Sequence, residues 1–241
     1  VILENVTSRR SKYDGLLVEL FDPDGTFNGN EVAGDPTIRD CRFVDNEYDA
    51  LYVERDCYPR FPSGTQTVAE GNDRNAVVLF GENRLTRDGT FYADGPPYLL
   101  KNGDDVEVDA GVTLTVEPGT VVKNDGHTTL AAAGRLIIGD PAGVDTATVV
   151  FTSIDDDTVG GVTTPTSASD LGRAEWNGLE FRDTSTGNVL VNCEIRYGGE
   201  GGDAALSLAT DSFVAFGDFS IPDSAGEGIE EVAEETEEEL E

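Results

Sequence analysis

The chain has 241 residues, 38 % of them hydrophobic, with 28 glycines, no methionine and one histidine. Its 48 acidic residues outnumber 16 basic ones, and a formal charge of −32 repels phosphate backbones, which excludes nucleic-acid binding through charge. No apolar run reaches the length of a membrane-crossing helix, and the length suits one large all-β domain or two smaller ones.

The first residues, VILENV, already read as a strand without an initiator methionine or leader, so the chain is expected to be a piece of something longer. Four short segments then share a pattern: LENVTS at Leu3, IRDCRF at Ile38, LVNCEI at Leu190 and FGDFSI at Phe216. Each places Asn5, Asp40, Asn192 or Asp218 two residues after an apolar one, followed by a residue expected to point inward: Val6, Cys41, Cys193 or Phe219. A glycine or alanine opens a second β-run ten residues later in three cases: Gly15, Ala50 and Gly228. In the fourth, Ala205 does so after thirteen, with GGEGG inserted. Short β-runs repeated with the same turn chemistry point to a solenoid, in which each coil gives one strand to each of several sheets. Turn Asn and Asp side chains are expected to hydrogen-bond their counterparts in the coils above and below. A two-sheet jelly roll is the structural rival, but it calls for hairpin turns that are scarce here. Asn5-Val6-Thr7 is also a glycosylation sequon, which an inward-facing Asn5 would make a poor acceptor.

Gly111 to Gly126, GVTLTVEPGTVVKNDG, holds two alternating β-runs joined by Glu-Pro-Gly. Proline cannot supply the positive φ that a two-residue hairpin needs first, whereas Pro118-Gly119 fits a type II turn. The two runs are therefore expected in different sheets, with Val112, Leu114, Val116 and Val121 facing a common interior.

Asp155-Asp156-Asp157 is the densest acidic triplet before the tail. It opens a polar excursion from Ser153 to Glu175, which reads either as a calcium site or as an exposed loop. His127 stands alone, which excludes histidine-based metal sites. Cys41, Cys57 and Cys193 lack a C-x-x-C pair and read as buried thiols, with a Cys41–Cys57 disulfide as the alternative. The tail, GEGIEEVAEETEEELE, places Ile229, Val232, Thr236 and Leu240 at helical spacing and is expected to form a short helix capping the last coil.

Over residues 96–225 the order of motifs resembles the right-handed parallel β-helix domains of secreted surface proteins, the pectate-lyase-like superfamily. The motifs are the opening at Gly111–Lys123, Gly134–Leu136, Phe151–Ser153, the acidic loop Asp155–Asp157, Trp176–Gly178 and Asn192–Gly199. The resemblance implies an all-β, right-handed parallel β-helix, with one repeat block over 1–95, a second over 96–225 and the acidic tail at 226–241. It also implies that Trp176 closes the core at the start of a coil. Abundant carboxylates, three lysines and no methionine resemble secreted proteins of extremely halophilic archaea.

The expected function is extracellular: a rigid rod at the cell surface or in an appendage, presenting loops to cell-surface glycans or neighbouring protein subunits. The alternatives are a polysaccharide lyase or glycoside hydrolase of the same superfamily, and a fibre of a virus infecting halophiles. A groove lined with Arg, Asp and aromatic residues on one sheet would favour the enzyme; smooth sheet faces would favour the rod.

Overall fold

The computed structural model describes residues 1–19, 31–81, 83–101, 105–165, 171–202, 204–212, 214–225 and 228–232. Every strand pair among them is parallel, and strands adjacent in a sheet come from successive coils of a β-helical solenoid. From Arg84 onward the chain visits a six-stranded, a five-stranded and a nine-stranded sheet in turn, then repeats the circuit. Before that, a two-stranded and a three-stranded sheet take the first two places, and the nine-stranded sheet is shared. Arg74–Phe80 pairs directly with Tyr98–Leu100, so this sheet continues through the expected boundary at residue 95. Its neighbours are interrupted where Tyr58 and Phe61 enter the core. A Cβ on Gly89 would lie 1.9 Å from the Tyr58 ring, and one on Gly95 2.4 Å from Phe61, so glycine is the residue that lets these rings in.

Alternation along each short strand sends one set of side chains inward, and parallel register stacks them in columns. Leu85, Val108, Ala132, Phe181 and Leu208 form one column of the six-stranded sheet. Phe91, Val116, Ile138, Leu190 and Phe216 form one in the five-stranded sheet. Together with Val53, Leu79 and Leu100 of the nine-stranded sheet, the buried members of these columns form one core. Trp176 lies fully buried in that core with its indole N–H donated to Arg196 O at 2.8 Å, the structural role expected of it.

The corner at Pro118-Gly119 is as expected, with one correction. Val112, Leu114 and Val116 enter the core, but Val121 faces outward toward Gly160 and Val122 takes the inward place, because strand alternation restarts after the turn. Thr113–Val116 belongs to the five-stranded sheet, Val121–Asn124 to the nine-stranded one, and Gly119 has φ 84°. Thr120 N donates to Glu117 O at 3.1 Å, closing the turn. A Cβ on Gly119 would meet only ordinary contacts, 3.5 Å from Ala147 and 3.7 Å from Ala93, so the positive φ is the main penalty of substitution. Gly119→Val should therefore destabilise by about 1 kcal/mol or slightly more. Equal denaturation midpoints for the two chains would contradict that account.

The repeated Asn/Asp turn is real but acts differently from expectation. Asn5, Asp40 and Asn192 have φ of 55°, 49° and 48°, left-handed values that these residues tolerate well, whereas Asp218 is not left-handed. Asn5, Asp40 and Asp218 are exposed, and Asp40 Oδ1 accepts from the backbone N–H of Gln66 rather than from a counterpart side chain. The motif also serves two corners. Asn5 and Asp40 join the two-stranded to the three-stranded sheet, whereas Asn192 and Asp218 join the five-stranded to the nine-stranded sheet. Of the residues that follow, Cys41 and Cys193 are buried and Phe219 is half-buried against the core. Val6 is 40 % exposed, because no described strand lies beyond Thr7–Arg9 in its sheet. All three cysteines are free and buried, so no Cys41–Cys57 disulfide forms.

The polar ladder lies elsewhere. Arg10, Asp45 and Gly71 adopt left-handed φ at the corner leading into the nine-stranded sheet, and each is followed by a polar residue: Ser11, Asn46, Asn72. Ser11 N donates to Asn46 Oδ1 at 3.0 Å, and Asn46 donates from both N and Nδ2 to Asn72 Oδ1, at 3.0 and 2.8 Å. Asn72 Nδ2 donates in turn to Phe43 O and Asn75 Oδ1, both at 2.9 Å.

The capping helix is corrected in part. Ile229–Val232 is a strand that extends the six-stranded sheet by pairing with Leu206–Ala209, and residues 233–241 lie outside the described residues. An open parallel edge offers the backbone N–H and C=O groups of 229–232 partners at once, which outweighs the weak helical periodicity of the segment.

Candidate functional site

Two polar arrangements stand out on the outer surface. The first is the excursion after Ser153. It folds back over the outer face of the nine-stranded sheet, where Asn75 N donates to Thr163 O at 2.8 Å and Asn75 Nδ2 to Val162 O at 3.1 Å. Ala76, Val78 and Leu99 are fully buried on that outer face, with Ile154 and Tyr52 packed on them. Lys123, also fully buried, donates from Nζ to Asp156 O at 2.9 Å and to Gly161 O at 2.7 Å, holding the loop at two points. Burial lowers the pKa of Lys123, opposed by the negative charges of Asp157, Asp156 and Asp155.

Asp156 is fully buried and fully used. Its Oδ2 accepts from Thr152 Oγ1 at 2.7 Å and Arg196 Nη1 at 3.3 Å; its Oδ1 accepts from Thr158 N at 3.0 Å and Thr158 Oγ1 at 2.5 Å. Burial works to raise its pKa, but the hydrogen bonds from Thr158, Thr152 and Arg196 prevail and hold it below the usual aspartate value. A group lowered in this way stabilises the fold at neutral pH and loses that contribution as acid protonates it. Asp156 itself has no acceptor position left for an ion, and no three His, Cys, Asp or Glu side chains among the described residues form a metal-holding group, whereas Asp157 Oδ1 is buried without a hydrogen-bond partner. Asp156→Asn should lower stability by about 2 kcal/mol, from the lost charge-assisted bonds. Thermal melts should show the same loss with and without millimolar calcium; a loss seen only with calcium present would instead place an ion at the triplet.

The second arrangement is a groove of about 540 Å³ on the six-stranded sheet, whose lining includes Thr129, Asn177, Glu180, Arg182, Ser207 and Glu230. Strand alternation places these side chains outward while Phe181 points into the core. Arg182 bridges two carboxylates, with Nη1 2.9 Å from Glu107 and Nε 3.4 Å from Glu180. Asn177 Nδ2 donates to Thr129 Oγ1 at 3.2 Å. On the groove floor, a Cβ on Gly178 would lie 2.5 Å from Ala205 O, so glycine is required for the strands to approach. The groove thus offers acceptors, a guanidinium and hydroxyls, but its lining includes no aromatic side chain apart from the inward Phe181.

His127 is exposed beside Glu200, whose Oε2 accepts its backbone N–H at 2.8 Å. Sequence reasoning missed three features. One is the exposed Tyr13–Tyr48 pair, with ring centroids 6.5 Å apart and planes 11° from parallel. Another is Asp49, buried against Arg74, which burial pushes up to about 6 despite that partner. The third is the groove itself, whose residues come from strands up to about a hundred residues apart and share a face only through register. No protein-family model, curated protein or solved structure matches this chain.

Proposed function

We propose that the chain is a rigid rod segment of an extracellular surface or appendage protein, presenting its outer faces to glycans in high salt. The observation that carries this reading is the nine-stranded sheet, which links successive coils from Glu31–Ala33 to Phe219–Ser220 over one contiguous core. Such a sheet resists bending between coils, and the turns around it tolerate variation. The acid excess supports the high-salt setting, since closely spaced carboxylates need screening. The motif order over 96–225 supports kinship with the pectate-lyase-like superfamily, whose members include enzymes and adhesins on one fold, so the fold itself is neutral between the readings.

The sheet groove favours a second reading, a polysaccharide lyase or hydrolase, because Arg182 lies among carboxylates on a concave face. A glycan array combined with reducing-sugar release, both in molar salt, separates the two. The rod predicts retention of glycans without release. Turnover abolished by Arg182→Ala would establish the enzyme, and absence of any retained glycan would overturn the presenting role.

A further inference from the structure

The groove sheet has a charge register along the solenoid axis. One outward column reads Arg84, Glu107, Ala131, Glu180, Ser207, Glu230 from strand to strand. From Glu107 onward, glutamates alternate with small residues. Neighbouring strands lie about 4.8 Å apart, so the carboxylates recur about every 10 Å. The groove opens over Glu180, Ser207 and Glu230, flanked by the hydroxyl of Thr129 and the amide of Asn177. Arg84 pairs with Asp109 outside the column, Arg182 bridges Glu107 and Glu180, and Glu230 makes no ion pair among the described residues. Negative charge is therefore in surplus at the Glu180–Glu230 end.

We propose that this groove binds a linear amino sugar chain, β-1,4-linked glucosamine, lying along the solenoid axis with ammonium groups on Glu180 and Glu230. The inference rests on the glycan-presenting role and names the glycan. Three features select it. At direct contact, where screening by salt is weakest, a row of carboxylates favours cationic glycans over acidic ones and gives that attraction a direction. In an extended β-1,4-linked chain each sugar is turned over relative to the last, so the same substituent returns to the same face every second sugar, a length close to two strand spacings. An extended basic peptide returns alternate side chains to one face after only about 6.8 Å and falls out of step with the row. Lastly, Ser207 leaves room for a sugar ring between the two carboxylates, and Thr129, Asn177 and Ser207 offer hydroxyl and amide partners to its polar edge.

Isothermal titration calorimetry in mildly acidic buffer, at the lowest salt that preserves the melting transition, tests this with three probes. They are a fully deacetylated glucosamine hexamer, the neutral N-acetylated hexamer and hexalysine. The deacetylated hexamer should bind about tenfold more tightly than either of the others. Glu180→Gln combined with Glu230→Gln should erase that preference while keeping a cooperative melting transition, since Glu180 is only partly buried, Glu230 is exposed and Arg182 keeps its pair with Glu107. Equal binding of hexalysine, or an unchanged preference in the double variant, would overturn the proposal by reducing it to unspecific charge attraction. Tight binding of the acetylated hexamer by both chains would also overturn it, yet would leave the glycan-presenting role standing. Failure of every glycan, on the array and in the calorimeter, would remove both.

Discussion

Replacing Asn72 with alanine is expected to lower the free energy of unfolding by about 3 kcal/mol, more than any other single side chain at these corners. Asn72 is 1 % exposed and Asn46 3 % exposed, so the groups that Asn72 satisfies have little access to water. The substitution strands Asn46 N–H and Nδ2, which share Asn72 Oδ1, and removes the donor to Phe43 O. Each buried polar group left without a partner costs about 1–3 kcal/mol, and some relaxation around the cavity offsets part of the sum. Asn46→Ala breaks the same pair from the other side. A double-mutant cycle should therefore give a coupling of about 1–2 kcal/mol between the two positions. Additive effects would show that the side chains act separately and that the ladder is not a unit. A loss for Asn72→Ala below about 1 kcal/mol would show that water replaces the amide.

That ladder also shows where sequence reading stopped. The solenoid was legible because strand alternation, the Pro118-Gly119 corner and the repeated Asn/Asp turn positions are local properties, each confined to a few residues. The corner that a given turn occupies was not legible. A residue such as Asn5 or Asn192 fits any bend needing one left-handed φ, and nothing within the six-residue motif says which two sheets meet there. Asn46 and Asn72 sit in ordinary polar stretches, DNEYD and GNDRN, and become buried only when Phe43 and the coil below are placed. Ile229 and Val232 fit both a helical face and a strand, and the vacant edge at Leu206–Ala209 decided between them. The same holds for the surface. Asp156 reads as one of three acids until Thr152 and Arg196 are brought to it, and the Glu107–Glu180–Glu230 row exists only in the register of stacked coils.

The largest effect expected for the whole chain is its response to salt. Raising sodium or potassium chloride from 0.1 M to 2 M should raise the melting temperature by about 10 °C, or roughly 3–5 kcal/mol at about 2–4 °C per kcal/mol for a chain of this size. The Debye length shrinks from about 10 Å to about 3 Å by 1 M, so carboxylates one or two strands apart cease to repel over that range. Salt also weakens the exposed ion pairs, such as Arg9–Asp45 and Arg42–Glu70. Pairs of that kind contribute at most about 1 kcal/mol each, and the surplus carboxylates outnumber them, so relief of repulsion wins. The buried Asp49–Arg74 pair is shielded from ions and should be little affected. Because Ile229–Val232 is part of the sheet, the tail is best removed after Val232, which takes away six glutamates and leaves 42 acidic residues against 16 basic ones. The truncated chain should keep most of its salt response. A melting temperature indifferent to salt would remove the high-salt reading, and a response that vanished with residues 233–241 would move the repulsion from the coils to the tail.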